Sequence, residues 1–391
     1  MITSILHTSL VAILTLTAAT HALASTPAKL ERSNQYIDSY RSGYISGWKG
    51  MLTNSQPDKL LTSGIWFKPS SSPRPFEQQE AIPLSESMKL RLAENSTDGL
   101  LVIKNNKIIN QYFRYGFAIN DIHLIHSTGK AFTSFAIQPV YDLIGQEGRN
   151  KQLSNYLPKL KSLPAGKVTF QQALDMQAGL EWSENYEDPT THTMRSGAVG
   201  GWDPIENPQS WYSMADLKQT AEHGKTWIYN NFSVIASAFA AEAISGKPYP
   251  ELVQTSYNKL GFEDRSWYVA NKMDELSSEG GQALTIRDFA KLGRYMLEEK
   301  KSQYVNDVWN ADGSVAQYMP KDKYSFAIGY KNYWYKISDN EILALGSSGQ
   351  ILYINKEKKL VIAKLSSFVQ GQGLAEFEKA FSIISDLAQS N

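Results

Sequence analysis

Cysteine is absent from this chain of 391 residues. The chain can therefore form no disulfide, has no attachment site for a lipoprotein anchor and offers no thiolate ligands to a metal. Lys plus Arg and Asp plus Glu both number 39, so no nucleic-acid or strongly anionic partner is expected. The six histidines are scattered without the spacing of metal ligands. We predict neither a metal nor a cofactor.

Long hydrophobic runs are also missing. The apolar run Leu10–Ala19 is too short to span a bilayer, and Ala22-Leu23-Ala24 follows it as an A-x-A cleavage site. No Lys or Arg precedes the run, unlike the usual signal peptide. The pattern predicts a signal peptide over residues 1–24, a periplasmic or secreted protein and no membrane span.

Several catalytic motifs are lacking as well. The sequence contains no G-x-S-x-G, no H-E-x-x-H and no P-loop, which argues against an α/β-hydrolase, a zinc protease of that type and a P-loop NTPase. Hydrophobic residues make up 42% and charged residues 20% of the chain, as in a globular enzyme with an ample core.

Ser127 and Lys130 stand three residues apart in His126-Ser127-Thr128-Gly129-Lys130. On a helix this spacing brings both side chains to one face, where a lysine of lowered pKa can act as the base for a serine nucleophile. The same S-x-x-K pattern occurs at Ser46–Lys49 and Ser256–Lys259. Only Ser127 stands where a strand pattern gives way to a long helical pattern, so we take the other two as chance matches.

Tyr229-Asn230-Asn231 is the second element with catalytic potential. A tyrosine near a lysine ammonium can hold a lowered pKa and pass a proton to a leaving group, and an asparagine can bind an amide or ester carbonyl. The alternative is a packed tyrosine beside an asparagine that caps the following helix.

Gly346-Ser347-Ser348-Gly349-Gln350 is the third element. Glycines before a strand allow a substrate to approach the backbone and its N–H groups. The alternative is a simple turn between strands.

From about Gly99 to the C-terminus, these elements and their flanks resemble the serine β-lactamase-like hydrolases. The stretches HSTGKAFTSF, IYNNFSVIASAFAAEAISGKPYPELV and GSSGQILYINKEKKLVI carry much of the resemblance, which is strongest to the family VIII carboxylesterases and the 6-aminohexanoate-dimer hydrolases. The resemblance implies that Ser127 is the acylated nucleophile, Lys130 its base and Tyr229 the proton shuttle. It also implies an oxyanion hole from the backbone N–H groups of Ser127 and Ser347, beside Gly346. Asn231 and Tyr186 match residues that face the substrate.

The chain departs from these relatives at one informative place. β-Lactamases and DD-peptidases carry K-[ST]-G on the strand facing the serine, where this chain has Leu345-Gly346-Ser347. The cation that would pair with a β-lactam carboxylate is therefore missing from that position. We expect a hydrolase of a carboxylic ester or a small linear amide. A β-lactamase or DD-peptidase is the alternative, and a non-catalytic peptide-binding descendant is a third hypothesis.

Strand and helix patterns predict an α+β fold. Leu100–Ile103 and Lys107–Phe113 alternate around Asn105-Asn106, strand patterns return between Phe326 and Leu365, and a helix closes the chain. We predict an antiparallel sheet built from both chain ends, flanked by N- and C-terminal helices, with an inserted, mostly helical lobe at about 140–300. The predicted divisions are a signal peptide (1–24), an irregular N-terminal extension (25–84) and a catalytic domain (85–391). Pro139 should break the helix that follows Ser127, and His126 should have a structural role. The oligomeric state cannot be predicted.

Overall fold

The computed structural model describes residues 53–391 except 62, 79, 81, 187, 189, 203–208 and 369–372. The predicted signal peptide, its cleavage site and the Ser46–Lys49 pair lie outside the described residues. Among the residues described, no helix is long and apolar enough to cross a membrane.

The described part of the chain forms two β-sheets. The larger has eight strands in the order β2-β4-β3-β12-β11-β10-β9-β8. Its strands, in chain order, are β2 (Glu77–Gln78), β3 (Thr97–Lys104), β4 (Lys107–Phe113), β8 (Gly329–Lys331), β9 (Trp334–Ser338), β10 (Glu341–Gly346), β11 (Gln350–Asn355) and β12 (Leu360–Ser366). The smaller sheet has the order β1-β6-β7-β5, with strands β1 (Gly64–Phe67), β5 (His123–Leu124), β6 (Ser266–Val269) and β7 (Gln282–Leu284).

Helices surround both sheets. They are α1 (Pro57–Leu60), α2 (Glu86–Glu94), α3 (Gly129–Ala136), α4 (Gln138–Arg149), α5 (Phe170–Leu174), α6 (His192–Gly200), α7 (Asn231–Ser245), α8 (Tyr249–Leu260), α9 (Ile286–Glu298), α10 (Gln303–Trp309), α11 (Gly313–Ala316), α12 (Lys321–Tyr324) and α13 (Leu374–Ser390). Short 3₁₀ turns occupy His126–Thr128, Leu153–Asn155, Pro158–Leu160, Pro164–Lys167, Trp211–Met214 and Ser347–Gly349.

Local sequence explains several of these boundaries. Asn105 and Asn106 have φ angles of 51° and 65°, the left-handed conformation that a two-residue hairpin requires and asparagine tolerates. The helix after Ser127 ends at Ala136, and Pro139 lies in the first turn of α4, so the predicted break is confirmed. Gly261, at φ 72°, ends α8 just beyond Ser256–Lys259.

The larger sheet joins both ends of the chain, as predicted, because β12 pairs with β3 from Leu360↔Lys104 to Ser366↔Thr97. Helices α9 and α13 both pack against β12, and every residue of β12 is buried. The predicted α+β fold is confirmed.

Two details of the prediction are wrong. The sheet is not wholly antiparallel, since β2 runs parallel to β4. The extension is not irregular throughout, because β1 pairs with β6. The lobe is mostly helical, as predicted, and it also contains β6 and β7, which belong to the smaller sheet. Strands of two to four residues are too short to show a period, and their partners lie far away in the sequence.

Candidate active site

Ser127 lies in the 3₁₀ turn His126–Thr128, between β5 and α3. This turn packs against the end of β10 at Gly346, where a Cβ atom would come within 2.6 Å of the Ile125 carbonyl oxygen. Only glycine permits that approach without displacing the turn. The Gly346–Ser347 segment therefore faces the predicted nucleophile directly.

Lys130 is the immediate partner of Ser127. Its Nζ lies 3.0 Å from Ser127 Oγ and donates to the Glu279 carbonyl oxygen at 2.7 Å. The Lys130 side chain is only 2% exposed, and burial lowers its pKa to about 8, although the carboxylates of Glu279 and Glu184 oppose that change. A neutral amine is thus accessible near physiological pH, and it can take the Ser127 proton.

Tyr229 completes this group just before α7. Lys130 Nζ lies 4.8 Å from the centroid of its ring, and Tyr229 lines a cavity together with Ser127. Burial, together with the Glu184 carboxylate, raises the pKa of Tyr229 well above 10. The lowered pKa that the sequence made possible is therefore not found, because loss of hydration is the largest effect on this hydroxyl. Tyr229 is a neutral phenol that can relay a proton by donating and accepting at once.

Asn230 and Asn231 have different positions. Asn230 caps α7, since its Oδ1 accepts from the Ser233 backbone N–H at 2.7 Å. Asn231 is buried in the first turn of α7, and its Nδ2 donates to Ser196 Oγ at 3.3 Å. Only Asn231 lines the space beside Ser127.

Two cavities meet at Ser127. The smaller, of about 40 Å³, is lined mostly by polar groups: His126, Ser127, Lys130, Tyr186, Thr193, Met194, Ser196, Gly197, Trp202, Asn231, Glu279, Gly280 and Ser347. A volume of this size holds a few water molecules or one small polar group.

The larger cavity, of about 310 Å³, has a mainly aromatic wall. Its lining residues are Ser127, Glu184, Tyr186, Tyr229, Lys323, Tyr324, Phe326, Tyr335, Leu345, Gly346, Ser347, Leu374, Phe377 and Phe381. Ser127, Tyr186 and Ser347 line both cavities. Among the residues that line the larger cavity, Lys323 is the one with a positively charged side chain and Glu184 the one with a carboxylate.

Tyr186 connects the two cavities. Its hydroxyl donates to Glu184 Oε1 at 3.0 Å, and its side chain lines both cavities. Burial raises the pKa of Tyr186 well above 10 and also raises the pKa of Glu184, whose side chain remains exposed to the larger cavity. The structure thus brings together every residue that the sequence predicted for the site.

Sequence reasoning missed Glu184, Glu279 and Lys323. Glu279 is buried, its Oε1 accepts from Ser277 Oγ and from Trp202 Nε1, and burial raises its pKa. Each of these residues lies on a loop or short helix with no motif around it. Only the fold brings them to Lys130 and Tyr229.

The comparisons with known proteins agree with this geometry. The family model described as Beta-lactamase matches residues 92–381. The chain belongs to the beta-lactamase family. Members of this family are serine hydrolases, and the β-lactamase/transpeptidase-like fold predicted from the sequence is confirmed.

Individual relatives extend the comparison. The chain is 25% identical over 302 residues to the 6-aminohexanoate-dimer hydrolase of Paenarthrobacter ureafaciens, covering 72% of this chain and 75% of that protein. A Bacillus anthracis protein described as a candidate 6-aminohexanoate-dimer hydrolase superposes with a TM-score of 0.76 at 22% identity, covering 92% of this chain and 98% of the other.

More distant structures share the fold. EstCE1, a hydrolase with promiscuous acyltransferase activity, gives a TM-score of 0.57 at 12% identity, with 76% of this chain and 97% of the other covered. A penicillin-binding protein of Bacillus halodurans gives 0.59 at 14% identity, with 78% of this chain and 100% of the other covered.

Proposed function

We propose that this protein is an exported serine hydrolase that cleaves a carboxylic ester or a small linear amide through an acyl-enzyme on Ser127. The observation that carries the proposal is the 3.0 Å contact between Ser127 Oγ and the buried Lys130 amine, whose pKa is lowered to about 8. Export rests on the signal-peptide pattern over residues 1–24 and is part of the proposal.

The first half-reaction forms the acyl-enzyme. Ser127 Oγ attacks the substrate carbonyl carbon while its proton passes to Lys130. The backbone N–H groups of Ser127 and Ser347 stabilise the oxyanion that develops. Tyr229, which lines the larger cavity beside Ser127, then relays a proton to the leaving alcohol or amine as the bond to the carbonyl carbon breaks.

The second half-reaction returns the free enzyme. Water attacks the acyl carbon, gives its proton to the Lys130–Tyr229 pair, and Ser127 Oγ leaves with a proton as the acid is released. Asn231 and Tyr186 are proposed to contact the substrate, since both line the smaller cavity.

The substrate class follows from the cavities and the relatives. An aromatic wall and a volume of about 310 Å³ suit an apolar chain of modest length. The relative from Paenarthrobacter ureafaciens is a hydrolase of 6-aminohexanoate dimer, which supports a linear amide as one candidate. The resemblance of the sequence to the family VIII carboxylesterases supports an ester as the other.

A β-lactamase or DD-peptidase activity is the second candidate. Leu345-Gly346-Ser347 supplies no cation on β10, but Lys323 lines the larger cavity with Ser127 and carries a positive charge. A charged hydrogen bond to a carboxylate contributes about 1.5–3 kcal/mol, so Lys323 is the group that would make this activity possible.

The test compares kcat/KM on p-nitrophenyl acetate and butyrate, 6-aminohexanoate dimer and nitrocefin, with Lys323→Met as the matched variant. We expect the esters or the dimer to exceed nitrocefin in kcat/KM. If nitrocefin is the better substrate and Lys323→Met removes that advantage, the β-lactamase alternative takes first place.

A further inference from the structure

The N-terminal extension contacts the nucleophile turn from outside the region that the family model matches. Asn54 is 2% exposed, and its Oδ1 lies 2.7 Å from Nε2 of His126, the residue immediately before Ser127. An amide oxygen can only accept, so Nε2 carries the proton. Burial lowers the pKa of His126 to about 3, which keeps this ring neutral and its single N–H directed at Asn54.

The other end of Asn54 is held by a buried polar cluster. Asn54 Nδ2 donates to Ser367 Oγ at 3.3 Å, and Ser367 Oγ donates to Asp98 Oδ2 at 2.5 Å. Asp98 also accepts from His123 Nε2 at 2.9 Å and from Arg114. Ser367, Asp98 and His123 have the residue types of a catalytic triad but are fully buried. No substrate can reach them, so the cluster acts as an anchor.

The C-terminal end of β12 also holds the turn that carries Ser347. Gln350 is fully buried; its Nε2 donates to the carbonyl oxygens of Ser366 at 2.7 Å and Ser347 at 3.2 Å. The Ser366 N–H returns a bond to Gln350 Oε1 at 3.0 Å. Ser366 and Ser367 are adjacent, so one end of β12 is linked both to the Ser347 turn and to the turn that carries Ser127.

His126 needs such support because its backbone is unusual. Its φ of 45° places a non-glycine residue in the left-handed region, which is unfavourable unless neighbouring contacts hold it. Two contacts do so on the side chain: the bond to Asn54 and the stacking of the ring on Trp202, with centroids 6.1 Å apart. Loss of the Asn54 bond would let this turn, and Ser127 with it, change orientation.

We propose that Asn54 is a positioning residue, by which the N-terminal extension sets the orientation of Ser127 through His126. The inference rests on the proposed function, since it takes Ser127 as the nucleophile. It makes residues 53–56 part of the catalytic scaffold although they precede residue 92, where the family match begins.

The extension has attachments of its own, so a change at Asn54 should not release it. Leu61 packs in a buried cluster with Leu124, Trp202 and Trp267, and β1 pairs with β6 through Gly64↔Val269. The effect of an Asn54 variant can therefore be read as a local one.

The experiment compares Asn54→Ala with Asn95→Ala, using the best p-nitrophenyl ester and a fluorophosphonate that labels Ser127. Asn95 is the matched control because it is also 2% exposed and its Nδ2 donates to a backbone carbonyl, that of Glu376, at 2.9 Å. We expect Asn54→Ala to lower kcat and the labelling rate by ~10–100-fold while KM changes less than ~3-fold, since small misplacements of reacting groups have effects of this size. Asn95→Ala should reduce Tm similarly without that loss.

Two further variants keep the test decisive. Asn54→Ser is too short to reach His126 and should reproduce the loss if Asn54→Ala does not fold. Asn54→Asp keeps the acceptor for His126 Nε2 and should restore much of the labelling rate. The inference would be overturned if Asn54→Ala and Asn54→Ser were labelled at the same rate as wild type. It would also be overturned if, at equal Tm, Asn95→Ala lost as much kcat and labelling rate as Asn54→Ala. If wild type is not labelled at Ser127, it is the proposed function that fails.

Discussion

At the scale of single residues, Lys130 shows how burial creates reactivity. A solvated lysine is protonated at neutral pH, but this side chain is buried beside Ser127 Oγ and its pKa falls to about 8. The S-x-x-K spacing predicted the pair. The spacing alone does not separate this match from Ser256–Lys259, although the strand and helix patterns around Ser127 favoured it. In the structure, Ser256 donates to the Val253 carbonyl and Lys259 to Gln138. Burial and partners distinguish the two matches, and both depend on tertiary packing.

Removing either proton-transfer group should slow turnover strongly. Lys130→Ala and Tyr229→Phe are each expected to lower kcat by ~10²–10⁴-fold, the usual contribution of positioned proton transfer. Because both groups contact Ser127, the double variant should lose less than the product of the two effects. Steady-state kinetics of the three variants measure this, and strictly multiplicative losses would show that the two residues do not share a proton path.

The pKa of Lys130 also sets a pH dependence. The neutral amine is the base, so kcat/KM for a p-nitrophenyl ester should rise with pH and level off above an inflection near 8. Tyr229, whose pKa is raised well above 10, should add no second rise below that value. A pH–rate profile with a flat kcat/KM from pH 6 to 9 would contradict a lysine base.

At the scale of elements, long patterned segments were predictable and short ones were not. The hairpin of β3 and β4, the strands β11 and β12 and the closing helix α13 show regular alternation or helical spacing, and all form. The smaller sheet was missed because β5 has two residues and β7 has three. The site was predictable where a motif sits on such an element, as at Ser127. Glu184, Glu279 and Asn54 belong to no motif in the sequence, and only the tertiary fold brings them to the site.

The hairpin turn offers an element-scale test. Asn106 has φ 65°, so Asn106→Val should lower the free energy of unfolding by about 1–2 kcal/mol, while Asn106→Gly should be neutral or stabilising. Urea denaturation of the two variants checks this. Activity per folded molecule should be unchanged in both, since Asn106 lines neither cavity at Ser127. Equal stability of the Val and Gly variants would contradict the left-handed turn.

At the scale of the whole molecule, the candidate active site lies where helices α3 and α7 meet the end of β10. Helix α3 contributes Lys130, the start of α7 contributes Tyr229 and Asn231, and the end of β10 with the turn after it contributes Gly346 and Ser347. The buried cluster at the end of β12 joins these parts to the N-terminal extension. Stability and activity should therefore respond together to groups buried in this cluster.

Lys364 supplies the corresponding stability test. It is fully buried on β12, and burial lowers its pKa from 10.5 to about 7. Between those two values the unfolded chain binds more protons than the folded one, so this group makes stability rise with pH from 7 to 10.5. Lys364→Met should be more stable than wild type at pH 6, with the difference shrinking by roughly 3–5 kcal/mol by pH 10. Denaturation at both pH values measures it; an unchanged difference would contradict a buried titrating lysine.

The central claim is an acyl-enzyme on Ser127, and intact-protein mass spectrometry within seconds of mixing with p-nitrophenyl butyrate tests it most directly. We predict one butyryl adduct per chain, mapped by peptide digestion to Ser127 and absent from Ser127→Ala, which should also lose all turnover. An adduct on Ser256 or on another residue, or full activity in Ser127→Ala, would contradict the account.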